Sequence, residues 1–190
     1  DQSALKNLSK DAVDVASFRG YLSIVQLLLD YGLKGSKKTI FDAISLGFTE
    51  IVKLLLEHHD NLWDVQNSEE NTLLCKACRS GDVDLVKIFL SKGVEVNHQN
   101  KFGDTPLIMA CLYTIDYMDE VEIEVVKRYV TIVSLLLENQ ADVHLQNDEG
   151  LTAAFFASSH SQFAILNLLL TFKPDLVHTF VPNFGSLLHI

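Results

Sequence analysis

Ala77-Cys-Arg-Ser-Gly81-Asp-Val-Asp-Leu-Val-Lys-Ile-Phe-Leu90 decides the fold. A short first stretch breaks at Gly81. A second stretch then carries Val83, Val86, Phe89 and Leu90 at helical spacing, and Gly93 follows as a C-terminal stop. Neither stretch can bury its apolar side alone, so such a unit needs neighbours to stack against. The chain supplies them. Ala16-Ser-Phe-Arg-Gly20-Tyr-Leu-Ser-Ile-Val-Gln-Leu-Leu-Leu29 and Ala43-Ile-Ser-Leu-Gly47-Phe-Thr-Glu-Ile-Val-Lys-Leu-Leu-Leu56 share the pattern. So does Ala157-Ser-Ser-His-Ser161-Gln-Phe-Ala-Ile-Leu-Asn-Leu-Leu-Leu170. Another copy opens at Ala110 and closes at Thr131-Ile-Val-Ser-Leu-Leu-Leu137.

Between equivalent glycine-type positions the steps are 27 (20 to 47), 34 (47 to 81), 47 (81 to 128) and 33 (128 to 161). Each unit reads as two short helices, with Leu107 and Ala110 among the residues the first helix buries. Gly185-Ser-Leu-Leu-His189-Ile190 begins a sixth copy. The chain starts at Asp1 rather than Met, and with the broken sixth copy this leads to the expectation of a fragment of a larger protein.

Composition narrows the class. Of 190 residues, 48% are hydrophobic and 21% charged, which excludes a disordered chain. The net charge of -10 disfavours nucleic acid and anionic membrane surfaces as partners. The longest apolar runs fall far short of the ~18 residues a membrane span needs, and no secretory leader opens the chain. Three cysteines make no disulfide framework, so a reducing, cytoplasmic setting is expected.

The repeat resembles the ankyrin-repeat family. Asn100-Lys-Phe-Gly103-Asp-Thr-Pro-Leu107 is similar to the family's turn and its Thr-Pro-Leu-His start. Gly93-Val-Glu-Val-Asn97 and Gln140-Ala-Asp-Val-His144 are similar to its Gly-Ala-Asp-Val-Asn finger. The likeness runs from about residue 10 to the end. It implies an all-α solenoid of stacked helix-turn-helix units with short hairpin fingers. The repeats fall at about 10–36, 37–66, 67–99, 100–146 and 147–180, with a truncated sixth from 183, all in one domain spanning 1–190. Thr105 suits a helix cap, with Pro106 in the first turn having no N–H to leave unmet. The tetrad is never complete: Thr stands at 72, 105 and 152, Pro at 106 alone and His at 189 alone. The 27-residue step implies that the finger between the first two repeats is missing, with Leu33-Lys-Gly35-Ser-Lys-Lys38 as a tight turn instead.

Residues 114–127 are a 14-residue insertion. Val121-Glu-Ile-Glu-Val125 alternates like a strand, but Val121, Val125, Tyr129, Ile132 or Val133, and Leu136 form one helical stripe. Asp119 and Glu122 resemble a capping box. A second helix lengthened to about 119–138 is expected, some ~30 Å long. It is either a tolerated surface insertion or a partner-contacting element.

Chemistry is sparse. Cys75-Lys-Ala-Cys78 is a CxxC, yet it lies within a first helix, and Cys111 occupies the Cys78 position one repeat on. All three suit small core sites better than metal or redox work. His58 and His59 close a second helix and read as caps. Ser158 to Ser161 surround His160 without a nucleophile elbow or an orienting acid. Asn97 reads as a turn-stabilising residue; the resemblance adds that asparagine hydroxylases modify this finger position in similar repeats. No catalytic residue, metal site or cofactor is assigned, and an enzyme is not expected.

The resemblance implies binding through fingertips and the exposed side of the first helices. Carried over, these positions are Arg19, Trp63, Arg79, Lys101, Phe102, Asp104, Leu112, Tyr113, Asp148, Glu149 and His160. Phe102 and Trp63 read equally as packing under a neighbouring finger. Glu57, Asp60, Asp64, Glu69 and Glu70 crowd residues 57–70 without a base. They form a solvated edge or meet a basic partner segment. The expected function is a monomeric protein-protein interaction module, a scaffold or adaptor binding through its concave face. The alternative is the non-catalytic substrate-recognition arm of a larger enzyme, channel or secreted bacterial effector, the last acting in a host-cell cytosol.

Overall fold

A computed structural model describes residues 11–59, 62–113 and 120–173. Helices run throughout: α1 (11–18), α2 (Leu22–Asp30), α3 (Lys37–Ser45), α4 (Thr49–Glu57), α5 (Leu73–Ser80), α6 (Val83–Ser91), α7 (Pro106–Cys111), α8 (Glu120–Glu138), α9 (Ala153–Ser159) and α10 (Phe163–Phe172). Among the described residues, the β pairing is an isolated antiparallel bridge between Gln66 and Thr72. The sixth copy expected from 183 lies outside the described residues.

The helices form pairs, and the pairs stack. First helices α3, α5, α7 and α9 pack in sequence, each against the next. Second helices pack α2 on α4, and α8 against both α6 and α10. Every first helix carries one alanine at the same register: Ala16, Ala43, Ala77, Ala110 and Ala157, all buried. A methyl at that contact lets the axes approach to the short end of the usual ~8–10 Å. The second helices meet the core through Ile51, Leu85, Ile132 and Ile165, one register position that is fully buried each time. Its counterpart in α2, Ile24, is 47% exposed.

Local sequence explains the helix starts. Thr72, Thr105 and Thr152 each accept a hydrogen bond from the backbone N–H three residues on, at 3.3, 3.2 and 3.3 Å. Such caps are worth ~1 kcal/mol each. Asp82 does the same for α6, accepting from the Leu85 N–H at 3.0 Å. The turn between α5 and α6 needs Gly81. Its φ is +72°, and an added Cβ would stand 3.1 Å from the Tyr129 ring.

Helix α8 starts at Glu120, within a residue of the start expected from the apolar stripe, and ends at the expected Glu138. Its 19 residues span ~28 Å, twice the length of the other second helices. Residues 123–128 are exposed or half-buried, and full burial begins at Tyr129. The strand-like alternation of residues 121–125 is overridden, since all five lie within α8.

Candidate partner-binding surface

Among the described residues three fingers project from the stack, and each is closed by one asparagine. The Asn67 Oδ1 accepts from the Glu69 and Asn71 N–H groups at 2.9 and 3.0 Å. The Asn100 Oδ1 accepts from Phe102 and Asp104, both at 2.9 Å. The Asn147 Oδ1 accepts from Glu149 and Leu151 at 3.1 and 3.0 Å. The fourth residue of each turn has positive φ: Glu70 at 60°, Gly103 at 76° and Gly150 at 77°. Gly103 is required twice over, since an added Cβ would lie 2.7 Å from the Asp148 nitrogen.

The fingers are also tied to one another. The Lys101 N–H donates to the Glu69 carbonyl at 2.9 Å, and the Asp148 N–H to the Phe102 carbonyl at 3.0 Å. The Asn100 Nδ2 donates to the Asn71 Oδ1 at 2.8 Å, and the Asn147 Nδ2 to the Asp104 Oδ1 at 3.0 Å. Asn97 adds a further tie, donating to the Gln140 carbonyl and accepting from the Asp142 N–H at 2.8 Å. No finger lies between α2 and α3, where the chain turns in residues 31–36. There the Asp14 Oδ1 accepts from the Ser36 N–H at 2.7 Å and from the Thr39 hydroxyl.

The expected contact residues divide on this framework. Arg19, Arg79, Lys101, Phe102, Asp148 and Glu149 are exposed, Phe102 at 52%. Phe102 and Lys101 share one fingertip, and Asp148 and Glu149 the next. Leu112 is half-buried at the end of α7.

The exposure expected of Tyr113 needs correction, and three half-buried candidates, Asp104, His160 and Trp63, make contacts within the chain. Tyr113 is 7% exposed and stacks on Tyr129 with ring centroids 3.9 Å apart. The long helix α8 brings that ring over it, and burial pushes the Tyr113 phenol up to about 12. Asp104 is half-buried and accepts the Asn147 bond, so it links fingers; burial raises its carboxyl and that hydrogen bond opposes the rise. The His160 Nδ1 sits 3.1 Å from the Cys111 carbonyl oxygen, which makes it a tie between α9 and α7. Trp63 lies on the second-helix side, in a cleft between α4 and α6 with Leu56, Ile88 and Lys92. Its ring stands edge-on to Phe89 at 6.3 Å, with the Lys92 Nζ 5.2 Å above it.

Cys75, Cys78 and Cys111 are buried thiols, and burial pushes Cys111 up to about 12. His58 caps α4 and its Nδ1 lies 3.0 Å from the Leu54 carbonyl oxygen. Among the described residues, no three His, Cys, Asp or Glu side chains are grouped to hold a metal, and no helix is long and apolar enough to cross a membrane. The asparagine system was only partly visible in the sequence. Asn100 stood out beside Gly103, while Asn67 and Asn147 are found from their offsets of 33 and 47, which echo the repeat steps.

Family models described as "Ankyrin repeats (3 copies)" and "Ankyrin repeats (many copies)" match residues 40–127 and 124–170. The chain belongs to the ankyrin-repeat family. A crystal structure of an ankyrin repeat domain from Acinetobacter baumannii superposes with a TM-score of 0.67 at 26% identity, covering 83% of this chain and 79% of that one. Among curated relatives, a transient receptor potential cation channel subfamily A member 1 homologue of Caenorhabditis elegans is 32% identical over 55% of this chain. An ankyrin repeat and KH domain-containing protein of Caenorhabditis briggsae is 29% identical over 85% of it. The chain spans 9% and 6% of the lengths of these two relatives. Ankyrin repeats are, as a class, protein-interaction modules built on an all-α solenoid.

Proposed function

We propose that this ankyrin array is a non-catalytic module that holds a partner protein against its fingertips and the exposed side of its first helices. One observation carries the reading. Phe102 is an exposed aromatic on a tip whose backbone is bonded to the fingers on both sides, through Lys101 and through its own carbonyl. An aromatic held in place before binding loses little freedom on binding, which is what hot-spot anchors share. Lys101 on the same tip and Asp148 and Glu149 on the next offer polar contacts, with Arg79, Arg19 and Leu112 along the first-helix side. Glu57, Asp64, Glu69 and Glu70 remain exposed, which suits a basic segment elsewhere on the partner. Asp60, expected with them, lies outside the described residues.

The small share of its relatives that the chain spans supports a second setting for the same activity: a recognition arm within a longer protein. The reading includes a single domain across residues 1–190 and a reducing, cytosolic compartment, the latter supported by three buried free thiols. The test is partner affinity with melting as control. Phe102→Ala is expected to weaken binding about thirtyfold, the equivalent of ~2 kcal/mol. Arg79→Ala is expected to weaken it less, and both should keep a stability within about 0.5 kcal/mol of the parent. Unchanged affinity in both variants overturns the reading.

A further inference from the structure

The short connection between α2 and α3 leaves its mark on the finger that follows. In the second and third fingers, two donors point back: the backbone N–H of Lys101 or Asp148, and the Nδ2 of Asn100 or Asn147. Their acceptors belong to the preceding finger, a backbone carbonyl from Glu69 or Phe102 and, two residues on, the side-chain oxygen of Asn71 or Asp104. The first finger has no finger before it. Its equivalent donors, the Ser68 N–H and the Asn67 Nδ2, meet no acceptor among the described residues.

These donors open onto a cleft of about 380 Å³ between α3, α5 and the finger. Lys37, Lys38 and Lys76 line it, with Phe41 beneath. Lys38 is paired with Asp42 at 2.5 Å, whereas Lys37 and Lys76 have no carboxylate partner among the described residues. Asp42 lines the cleft too, so three lysines stand against one carboxylate beside the two N–H donors, in a chain whose net charge is -10. That local reversal of sign selects an anionic occupant.

We propose that this cleft binds an acidic segment of a partner protein, which takes the place of the absent finger. The proposal rests on the interaction-module reading and gives the partner a chemistry. The segment offers a backbone carbonyl to the Ser68 N–H and, two residues later, a carboxylate to the Asn67 Nδ2. Phe102 and Asp104 already present that arrangement to the third finger within this chain. The lysines favour aspartate over asparagine at the second position, because charge-assisted hydrogen bonds are roughly twice as strong as neutral ones.

The probe is a synthetic peptide copying residues 98–106 with Lys101→Glu, which leaves two acids and no lysine or arginine in it, added to the ¹⁵N-labelled chain. Saturable shifts are expected at the Ser68 amide and the Asn67 side-chain amide. Asp104→Lys in the peptide, or Lys37→Glu with Lys76→Glu in the protein, should each weaken binding about tenfold or more. Far-UV circular dichroism of the double variant checks that it stays folded. Absence of shifts at those two groups with millimolar peptide overturns the proposal, as does binding that neither charge reversal weakens. Failure here separates from failure of the wider reading. A protein partner that binds the double variant as tightly as the parent, yet is lost with Phe102→Ala, removes the cleft and leaves the interaction module standing.

Discussion

Between α2 and α3 the chain turns in residues 31–36, held by one carboxylate, Asp14. Between the later pairs it detours through three described fingers, each closed by an asparagine and hydrogen-bonded to a neighbouring finger. The first arrangement joins two neighbouring pairs and stops there. The second runs on, because the first and second fingers each accept from the one after. Stacked arrays draw their stability from repeat terms plus nearest-neighbour terms. A linked row of fingers strengthens the neighbour terms from α5 onward, while α1 and α2 depend on core contact and Asp14. Cooperativity should therefore be greater in the fingered part than at the unfingered junction.

Alkali should test this most severely. Cys75, Cys78, Cys111, Tyr113 and Tyr129 all lie in the fingered part, and burial raises every one of them, with Cys111 and Tyr113 reaching about 12. The ordinary values are 9.0 for the thiols and 10.0 for the phenols. The unfolded chain therefore loses these protons first, and stability declines as pH rises from about 9 towards 12. Urea midpoints should hold level through neutral pH and then fall as pH rises past about 9. Hydrogen exchange near pH 10 should show α5 to α8 losing more protection than α1 and α2. Equal loss in both parts would break the contrast.

Core truncation comes next. Ile132→Ala should cost ~2–5 kcal/mol, since its site is fully buried. Ile24→Ala, at the same register in α2, should cost less than about 1 kcal/mol because half of that side chain already faces solvent. Chemical denaturation of both variants checks the pair, and similar losses would mean that the α2 face is covered in solution.

The fingers give a smaller effect. Asn100→Ala removes two accepted bonds and the bond to Asn71, so ~2 kcal/mol is expected. Asn67→Ala removes two accepted bonds but no bond to an earlier finger, and ~1 kcal/mol should follow. Asp14→Ala strips the junction of its acceptor for Ser36 and Thr39, also for ~1 kcal/mol. Its damage should stay confined to exchange protection in α1 to α3, whereas Asn100→Ala should loosen fingers on both sides.

The helix pairs were legible because apolar periodicity is local: Val83, Val86, Phe89 and Leu90 announce a helix without reference to anything distant. Helix α8 was legible for the same reason, through the stripe from Val121 to Leu136. Tyr113 was not, because its burial depends on Tyr129, a ring that reaches it across the insertion. Asp104 and His160 hid their roles likewise, since Asn147 and the Cys111 carbonyl are distant in sequence. The 27-residue step showed that a finger was missing, but nothing periodic marked Asp14 as the group standing in for it. The exposed candidates kept their places where the register alone set them, as with Arg79 and Phe102.

Trp63 is the one tryptophan in the chain, and it sits in the cleft between α4 and α6 against Phe89 and Lys92. Its fluorescence is therefore a local gauge. It registers the parting of the second and third helix pairs and is blind to fraying of α1 and α2 or of α9 and α10. Circular dichroism weighs every helix alike. An emission melt overlaid on a dichroism melt thus separates the middle of the array from its ends without any added label, and the gap between the two curves measures how far apart those events lie.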